Sequence, residues 1–138
     1  MIKILICGLP GSGKTTLAKP IAEGLGAYWL NADAVRSDYN DFDFSKEGRM
    51  RQADRMKSLA DDIVKTGQSV VADFICPTKE TRKEFDADFT VWMDTIKKGR
   101  FDDTNAMFES PTNYNCRITK WGDDVNTILS VIKKRYKL

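Results

Sequence analysis

The residues best suited to chemistry form a glycine-rich segment near the start of the chain, Gly8-Leu9-Pro10-Gly11-Ser12-Gly13-Lys14-Thr15. Its glycines let the backbone turn sharply and bring N–H groups against phosphate oxygens without a Cβ in the way. The lysine is placed to pair with the β- and γ-phosphates of a nucleotide, and the threonine hydroxyl to ligate Mg²⁺. The segment therefore predicts a phosphate-binding loop (P-loop) for ATP. The predicted contacts are Gly11, Ser12, Gly13, Lys14, Thr15 and Thr16.

The sequence on either side of this loop supports the prediction. An apolar run, residues 2–7, precedes it, and a helical pattern starts near Gly13. A buried strand, a glycine-rich turn and a helix whose positive end faces the phosphates are the context that a P-loop requires. A glycine-rich junction without function is the alternative, and the complete motif disfavours it.

Asp33 and Arg36 are the next candidates, because they follow a short strand predicted at residues 27–30. In an open parallel sheet, ligands bind at the carboxyl ends of the strands. A carboxylate there can accept a proton from a substrate hydroxyl or hold Mg²⁺ through water, and an arginine can grip an anionic acceptor with two hydrogen bonds. A helix N-cap is the other interpretation of Asp33, and Asn31 could serve as that cap instead.

Asp73 lies near the end of an apolar strand predicted at residues 69–74. With Thr15 it forms the predicted metal site, since it is placed like a Walker B carboxylate. A carboxylate that caps the following turn is an equally good interpretation. The chain contains no histidine, so a general base must be a carboxylate, a lysine or the substrate itself.

The elements that must position these residues alternate between strand and helix patterns. This alternation predicts an α/β fold with a parallel sheet and helices on both faces. The chain of 138 residues is expected to form one domain. Helices are predicted at residues 46–66, 79–85 and 123–136, strands at 89–93 and 116–119, and a loop at 37–45.

Composition narrows the function classes. The hydrophobic share of 41% and the charged share of 30% are ordinary for a soluble globular protein. A net charge of +2 is too small to indicate a nucleic-acid partner, and no run is long enough to span a membrane. Three unevenly spaced cysteines indicate reduced thiols in a cytoplasmic protein.

A basic segment, residues 97–112, has no clear period and is predicted to be a short lid over the phosphates. Lys98 and Arg100 could neutralise the charge that builds up during phosphoryl transfer. A solvated basic loop is the ordinary alternative.

With these residues in view, the chain resembles the adenylyl-sulfate kinase (APS kinase) family over residues 1–85 and again over 97–119. Leu30-Asn31-Ala32-Asp33-Ala34-Val35-Arg36 resembles the family's L-D-G-D-x-x-R element, although an asparagine and an alanine replace its first Asp and its Gly. Phe44-Ser45 with Arg49 and Gln52 follows the family's F-S-x-x-x-R-x-x-N spacing, and Phe74-Ile75-Cys76-Pro77 resembles its F-I-S-P element.

The resemblance implies the three-layer fold of P-loop kinases and a set of residue roles. Asp33 would be the base, and Phe44 and Phe108 would enclose the acceptor adenine. The implied acceptor contacts are Asp33, Arg36, Phe44, Arg49, Gln52, Ile75, Cys76 and Phe108; the implied catalytic residues are Asp33, Lys14, Lys98 and Arg100. The family also tends to form dimers.

One family element is missing. Between Thr95 and Lys97 the family has a longer helix with an R-D-P-K-G sequence, whose Arg packs on the ATP adenine. The choice between ATP and GTP as the donor is therefore open.

The function that follows from the resemblance is transfer of the ATP γ-phosphate, with Mg²⁺, to the 3′-hydroxyl of adenosine 5′-phosphosulfate (APS), giving PAPS. Two alternatives stay open. One is a kinase that acts on the 5′-hydroxyl of a polynucleotide, whose P-G-S-G-K and N-x-D-x-x-R elements are also similar. The other is a nucleotide-binding module with little catalysis.

Overall fold

A five-stranded parallel sheet organises the part of the chain that the computed structural model describes, residues 1–99, 102–122 and 125–138. The strand order is β2-β3-β1-β4-β5, so β1 is central and β2 and β5 are the edges. The strands are β1 Lys3–Gly8, β2 Tyr28–Asn31, β3 Val70–Asp73, β4 Phe89–Met93 and β5 Cys116–Ile118.

Helices connect successive strands and cover both faces of the sheet. They are α1 Lys14–Leu25, α2 Ala32–Tyr39, α3 Lys46–Lys65, α4 Lys79–Phe85, α5 Asp102–Met107 and α6 Val125–Tyr136. Along β1, Ile4 and Ile6 pack on the face that α1 and α6 cover, whereas Leu5 and Cys7 pack on the face that α3 covers. Burial on both faces explains the continuous apolar strands. The predicted three-layer α/β fold is confirmed.

The parallel register brings the carboxyl ends of the strands together. Asp73 of β3 lies opposite Ile6 of β1 and Asn31 of β2, and Gly8 lies opposite Met93 of β4. The residues that follow these strands therefore meet at one edge of the sheet. The P-loop, the Asn31–Arg36 segment and Asp73 are all at this edge.

The predicted loop at residues 37–45 is wrong in its first part. Residues 37–39 continue α2, and a left-handed Asn40 ends that helix. The α2 cap is Asn31, whose side chain accepts a hydrogen bond from the Ala34 N–H at 3.0 Å. Asp33 is thus not the cap, which removes one of its two interpretations.

Within the described ranges, no helix is both long enough and apolar enough to cross a bilayer.

Candidate active site

The P-loop forms a tight turn between β1 and α1. Gly8 must be a glycine, because a Cβ there would lie 2.7 Å from the Met93 carbonyl oxygen and 2.8 Å from the Ser12 hydroxyl. Gly13 is left-handed, with φ of 99°, and caps α1. The Leu9 carbonyl accepts hydrogen bonds from the Ser12 N–H at 3.1 Å and the Lys14 ammonium at 3.0 Å. The loop is therefore preformed, with the lysine held at its rim.

Beside the loop, Thr15 and Asp73 meet as the metal-site prediction requires. The Thr15 hydroxyl lies 3.4 Å from Asp73 Oδ1. The Trp29 indole N–H donates to Asp73 Oδ2 at 2.6 Å, and the Asn31 amide donates to both carboxylate oxygens at 3.1 and 3.2 Å. Burial raises the pKa of Asp73, and the hydrogen bonds from Trp29 and Asn31 oppose that shift.

This pair fits Mg²⁺, although no group of three or more His, Cys, Asp or Glu side chains converges within the described ranges. Mg²⁺ in a kinase is commonly held by one or two protein oxygens together with substrate phosphates and water. A hydroxyl and a carboxylate next to a phosphate loop are such a donor set. The raised pKa of Asp73 has the physical cause that a bound cation would relieve, namely a buried negative charge.

Helices α2 and α3 bring the predicted acceptor residues together. Asp33 is exposed in the first turn of α2, and no described residue donates a hydrogen bond to its carboxylate. Arg36 and Arg49 are buried, and their guanidinium carbons lie 4.6 and 5.4 Å from the centre of the Phe44 ring. This end of the site is therefore cationic, with a half-exposed aromatic ring between the two arginines.

Gln52 is tied to the protein at both ends of its amide. Its Nε2 donates to the Ala32 carbonyl at 3.0 Å, and its Oε1 accepts from Arg55 at 2.8 Å. Arg55 in turn pairs with Asp41 at 2.9 Å. Gln52 lines the site, but its visible contacts fix α2 against α3. The prediction that Gln52 binds substrate stays a prediction.

The opposite wall comes from the bend after β3, which contains Ile75 and Cys76. Cys76 is left-handed, with φ of 44°, and is fully buried. Burial raises the pKa of Cys76, and it raises that of Cys7 to about 11. Both thiols are therefore protonated at neutral pH and are weak nucleophiles. No described cysteine is in a disulfide.

Arg82 connects this wall to the predicted lid. Its guanidinium donates to the Cys76 carbonyl at 2.9 Å and to the Glu109 carbonyl at 2.6 Å. The Glu109 N–H donates to the Pro77 carbonyl at 2.7 Å. Phe108 packs against the core beside Arg82, with 5.7 Å between the guanidinium carbon and the ring centre. Phe108 does not line the cavity, and its role as the second wall stays a prediction.

Of the remaining lid residues, Gly99 lies beside the phosphate loop, where a Cβ would be 3.2 Å from the Pro10 carbonyl oxygen. Lys97 pairs with the buried Asp94 at 3.3 Å, and Arg117 also pairs with Asp94. Lys98 is exposed and does not line the cavity. Arg100 lies outside the described residues. The catalytic roles of Lys98 and Arg100 stay predictions.

One cavity of about 480 Å³ joins the two halves of the site. It is lined by the P-loop, by Asp33, Arg36, Phe44, Arg49 and Gln52, and by the β3 bend. Its lining also includes Trp121, which the sequence interpretation missed. The only signal was a large apolar residue after the last strand, and nothing in its spacing connects it with the P-loop.

The adenylylsulphate kinase family model matches residues 1–97. Adenylyl-sulfate kinase of Geotalea daltonii is 38% identical over 88 residues, which are 59% of this chain and 43% of that protein. The Bacillus licheniformis enzyme of the same name is 38% identical over 57% of this chain and 43% of its own length. The chain thus spans less than half of these curated relatives.

Solved structures with the same fold cover nearly all of the chain. The Mycobacterium tuberculosis APS kinase in complex with AMPPNP and APS superposes with a TM-score of 0.83 at 22% identity, covering 98% of this chain and 97% of that one. Shikimate kinase from Acinetobacter baumannii, in complex with shikimate, gives a TM-score of 0.63 at 18% identity over 99% and 94% of the two chains. At these identities the likeness shows the fold.

Proposed function

The chain belongs to the adenylylsulphate kinase family, and from this premise we propose that it transfers the γ-phosphate of ATP to the 3′-hydroxyl of APS. One observation carries the proposal. A single cavity contains both the phosphate loop and the acceptor residues that the family resemblance names, from Asp33 to Gln52. The family model matches the segment that supplies all of these residues.

In this proposal, backbone N–H groups of the P-loop and the Lys14 ammonium bind the donor phosphates. Thr15 and Asp73 would hold Mg²⁺, which would neutralise negative charge on the donor phosphates. Phe44 contacts the acceptor base, while Arg36 and Arg49 bind the phosphosulfate end. The exposed Asp33 carboxylate orients the 3′-hydroxyl.

The reaction is an in-line displacement. The acceptor oxygen forms a bond to the γ-phosphorus as the bond from that phosphorus to the β–γ bridging oxygen breaks, so ADP leaves. The hydroxyl proton passes to the Asp33 carboxylate, because Asp33 is exposed in the cavity, whereas Asp73, the other carboxylate of its lining, belongs to the proposed metal site. Positioning and charge neutralisation supply the rest of the rate.

A competition experiment tests the acceptor. The protein is incubated with γ-labelled ATP and Mg²⁺ while APS and a 5′-hydroxyl oligonucleotide are offered together, and the labelled products are separated. We expect label on APS, and none with Lys14→Ala, which excludes a contaminating kinase. Label on the oligonucleotide contradicts the proposed acceptor but leaves the P-loop assignment intact. Label on neither, with ADP still bound, indicates a binding module.

The assembly is a separate proposal. A homodimer is implied by the family resemblance, and the APS kinase from Thiobacillus denitrificans, similar in fold, is described as hexameric. Light scattering on the eluted protein, which gives its mass in solution, distinguishes a 15.6 kDa monomer from either assembly.

A further inference from the structure

Trp121 is an aromatic residue at the cavity that no role above explains. It lies in the connection between β5 and α6, lines the cavity and is 60% exposed. Burying a large aromatic side chain stabilises a fold, so an indole that stays exposed to water does not contribute that stabilisation. A half-open position at a ligand cavity is typical of an aromatic residue that contacts a ligand.

The Trp121 indole packs against the P-loop. Its six-membered ring lies against the bare Cα of Gly13, so that a Cβ on Gly13 would meet Cζ3 and would approach Cη2 to 3.0 Å and Cε3 to 3.2 Å. Trp121 therefore touches the residue before Lys14 and lies directly beside the phosphate-binding backbone. A group that continues from phosphates bound there is within reach of this ring.

The topology separates Trp121 from the acceptor residues. Asp33, Arg36 and Phe44 follow β2, which is one edge of the sheet, whereas Trp121 follows β5, which is the other edge. The P-loop follows the central β1 and lies between them. The cavity thus has an aromatic residue on each side of the phosphate loop, Phe44 on one and Trp121 on the other.

We propose that Trp121 is the stacking surface for the base of the donor nucleotide. The inference rests on the proposed function only in requiring a nucleoside triphosphate donor and a second nucleotide at Phe44. Trp121 would supply a contact for the donor base in place of the R-D-P-K-G element, which is missing between Thr95 and Lys97. Because every base has a π-face, stacking discriminates poorly between bases. ATP and GTP are therefore expected to be comparable donors.

Binding measurements without acceptor test this proposal. Calorimetry with Mg²⁺ compares ADP, GDP and inorganic tripolyphosphate on the wild type, Trp121→Ala and Trp121→Phe. Base–aromatic stacking of about 1–3 kcal/mol corresponds to a fivefold to hundredfold change in affinity. We expect Trp121→Ala to weaken ADP and GDP by that factor and tripolyphosphate by less than about twofold, and Trp121→Phe to restore most of the loss.

Tyr28→Ala is the matched control, because Tyr28 is an aromatic residue of similar exposure, 48%, outside the cavity. An equal loss for ADP and tripolyphosphate would show that Trp121 only supports the loop, and unchanged ADP affinity would show no contact; either overturns the proposal. A preference of more than about tenfold for ADP over GDP would refute recognition by stacking alone. If APS is not phosphorylated while these affinities behave as expected, the acceptor assignment fails and the Trp121 proposal stands.

Discussion

At the scale of single residues, Asp33 is the side chain whose substitution separates chemistry from binding. Its carboxylate lines the cavity and receives no hydrogen bond from a described residue. Replacing it with asparagine keeps the size but removes the proton acceptor. A positioned base contributes about 10²–10⁴-fold to a rate, so we expect Asp33→Asn to lower kcat at least about a hundredfold and to change the KM for ATP only a few-fold.

Steady-state kinetics with APS and ATP measure this effect. Asp38→Asn is the control, because it makes the same change on the same helix at an exposed position outside the cavity. An unchanged kcat for Asp33→Asn would show that another group takes the proton.

We expect the buried carboxylate of Asp73, a ligand in the proposed metal site, to lower the free energy of unfolding. Because its folded-state pKa lies above the ordinary value of 3.8, the folded protein binds more protons than the unfolded chain between those two pH values. The cost is absent well below pH 3.8 and grows as the pH rises from there through the folded-state pKa.

We therefore expect the stability of Asp73→Asn relative to the wild type to increase as the pH rises above about 4, while Mg²⁺-dependent transfer is lost. Urea unfolding without Mg²⁺ at a series of pH values measures the difference. Asp38→Asn is the control, because Asp38 is exposed and outside the cavity. A difference that does not vary with pH would show that burial of the Asp73 charge has no cost.

At the scale of elements, the structure confirms the helices and strands that are clear from the pattern of their own residues. Helix α4 and strand β4 have the predicted bounds, and α3 ends one residue early. The two helices that the sequence pattern does not predict are short, and each has a side chain that bonds to backbone groups a few residues away. In α2 the Arg36 guanidinium bonds the carbonyls of Asp41 and Asp43 at 3.0 and 3.2 Å. In α5, a six-residue helix, the Asn105 side chain bonds both the N–H and the carbonyl of Gly99.

Arg82 forms hydrogen bonds to two segments, the bend after β3 and the residues after α5. It holds the Cys76 carbonyl on the cavity wall and the Glu109 carbonyl beyond α5, and hydrogen bonds to a charged group contribute about 1.5–3 kcal/mol each. We expect Arg82→Ala to raise the KM for APS about tenfold, with little change in the KM for ATP, because the wall borders the acceptor side.

Kinetics and urea unfolding are measured together for Arg82→Ala, for Arg82→Lys and for the exposed neighbour Lys83→Ala as the control. Partial recovery of the APS KM by lysine, which keeps the charge and one donor, is expected for a positioning residue. If Arg82→Ala lowers stability and leaves both KM values unchanged, Arg82 is purely structural.

At the scale of the whole molecule, the sequence predicts which residues meet when they lie close together along the chain, but not when they lie far apart. Asp33, Arg36, Phe44, Arg49 and Gln52 lie close together in sequence, on two consecutive helices and in the connection between them, so a local resemblance locates them and all of them line the cavity. Trp121 lies more than a hundred residues beyond Gly13, and their contact exists only because β4 and β5 pair beside β1. For Phe108 the resemblance implies a place at the cavity, whereas the structure packs it against the core beside Arg82.

Because the chain has a small net charge, the change of acceptor affinity with salt concentration distinguishes the two possible acceptors, APS and a polynucleotide. The net charge is +2, and the cations that line the acceptor side are Arg36 and Arg49. Two phosphate contacts imply that APS affinity falls less than about tenfold between 50 and 200 mM salt. The affinity for a single-stranded polynucleotide that makes six or more contacts would fall a hundredfold or more over that range.

Calorimetric titration of APS at four salt concentrations gives the slope. A slope of log affinity against log salt of about −1.5 is expected for two contacts, whereas one of −4 or steeper would mean that the acceptor site continues along a basic track outside the cavity and would favour a polynucleotide.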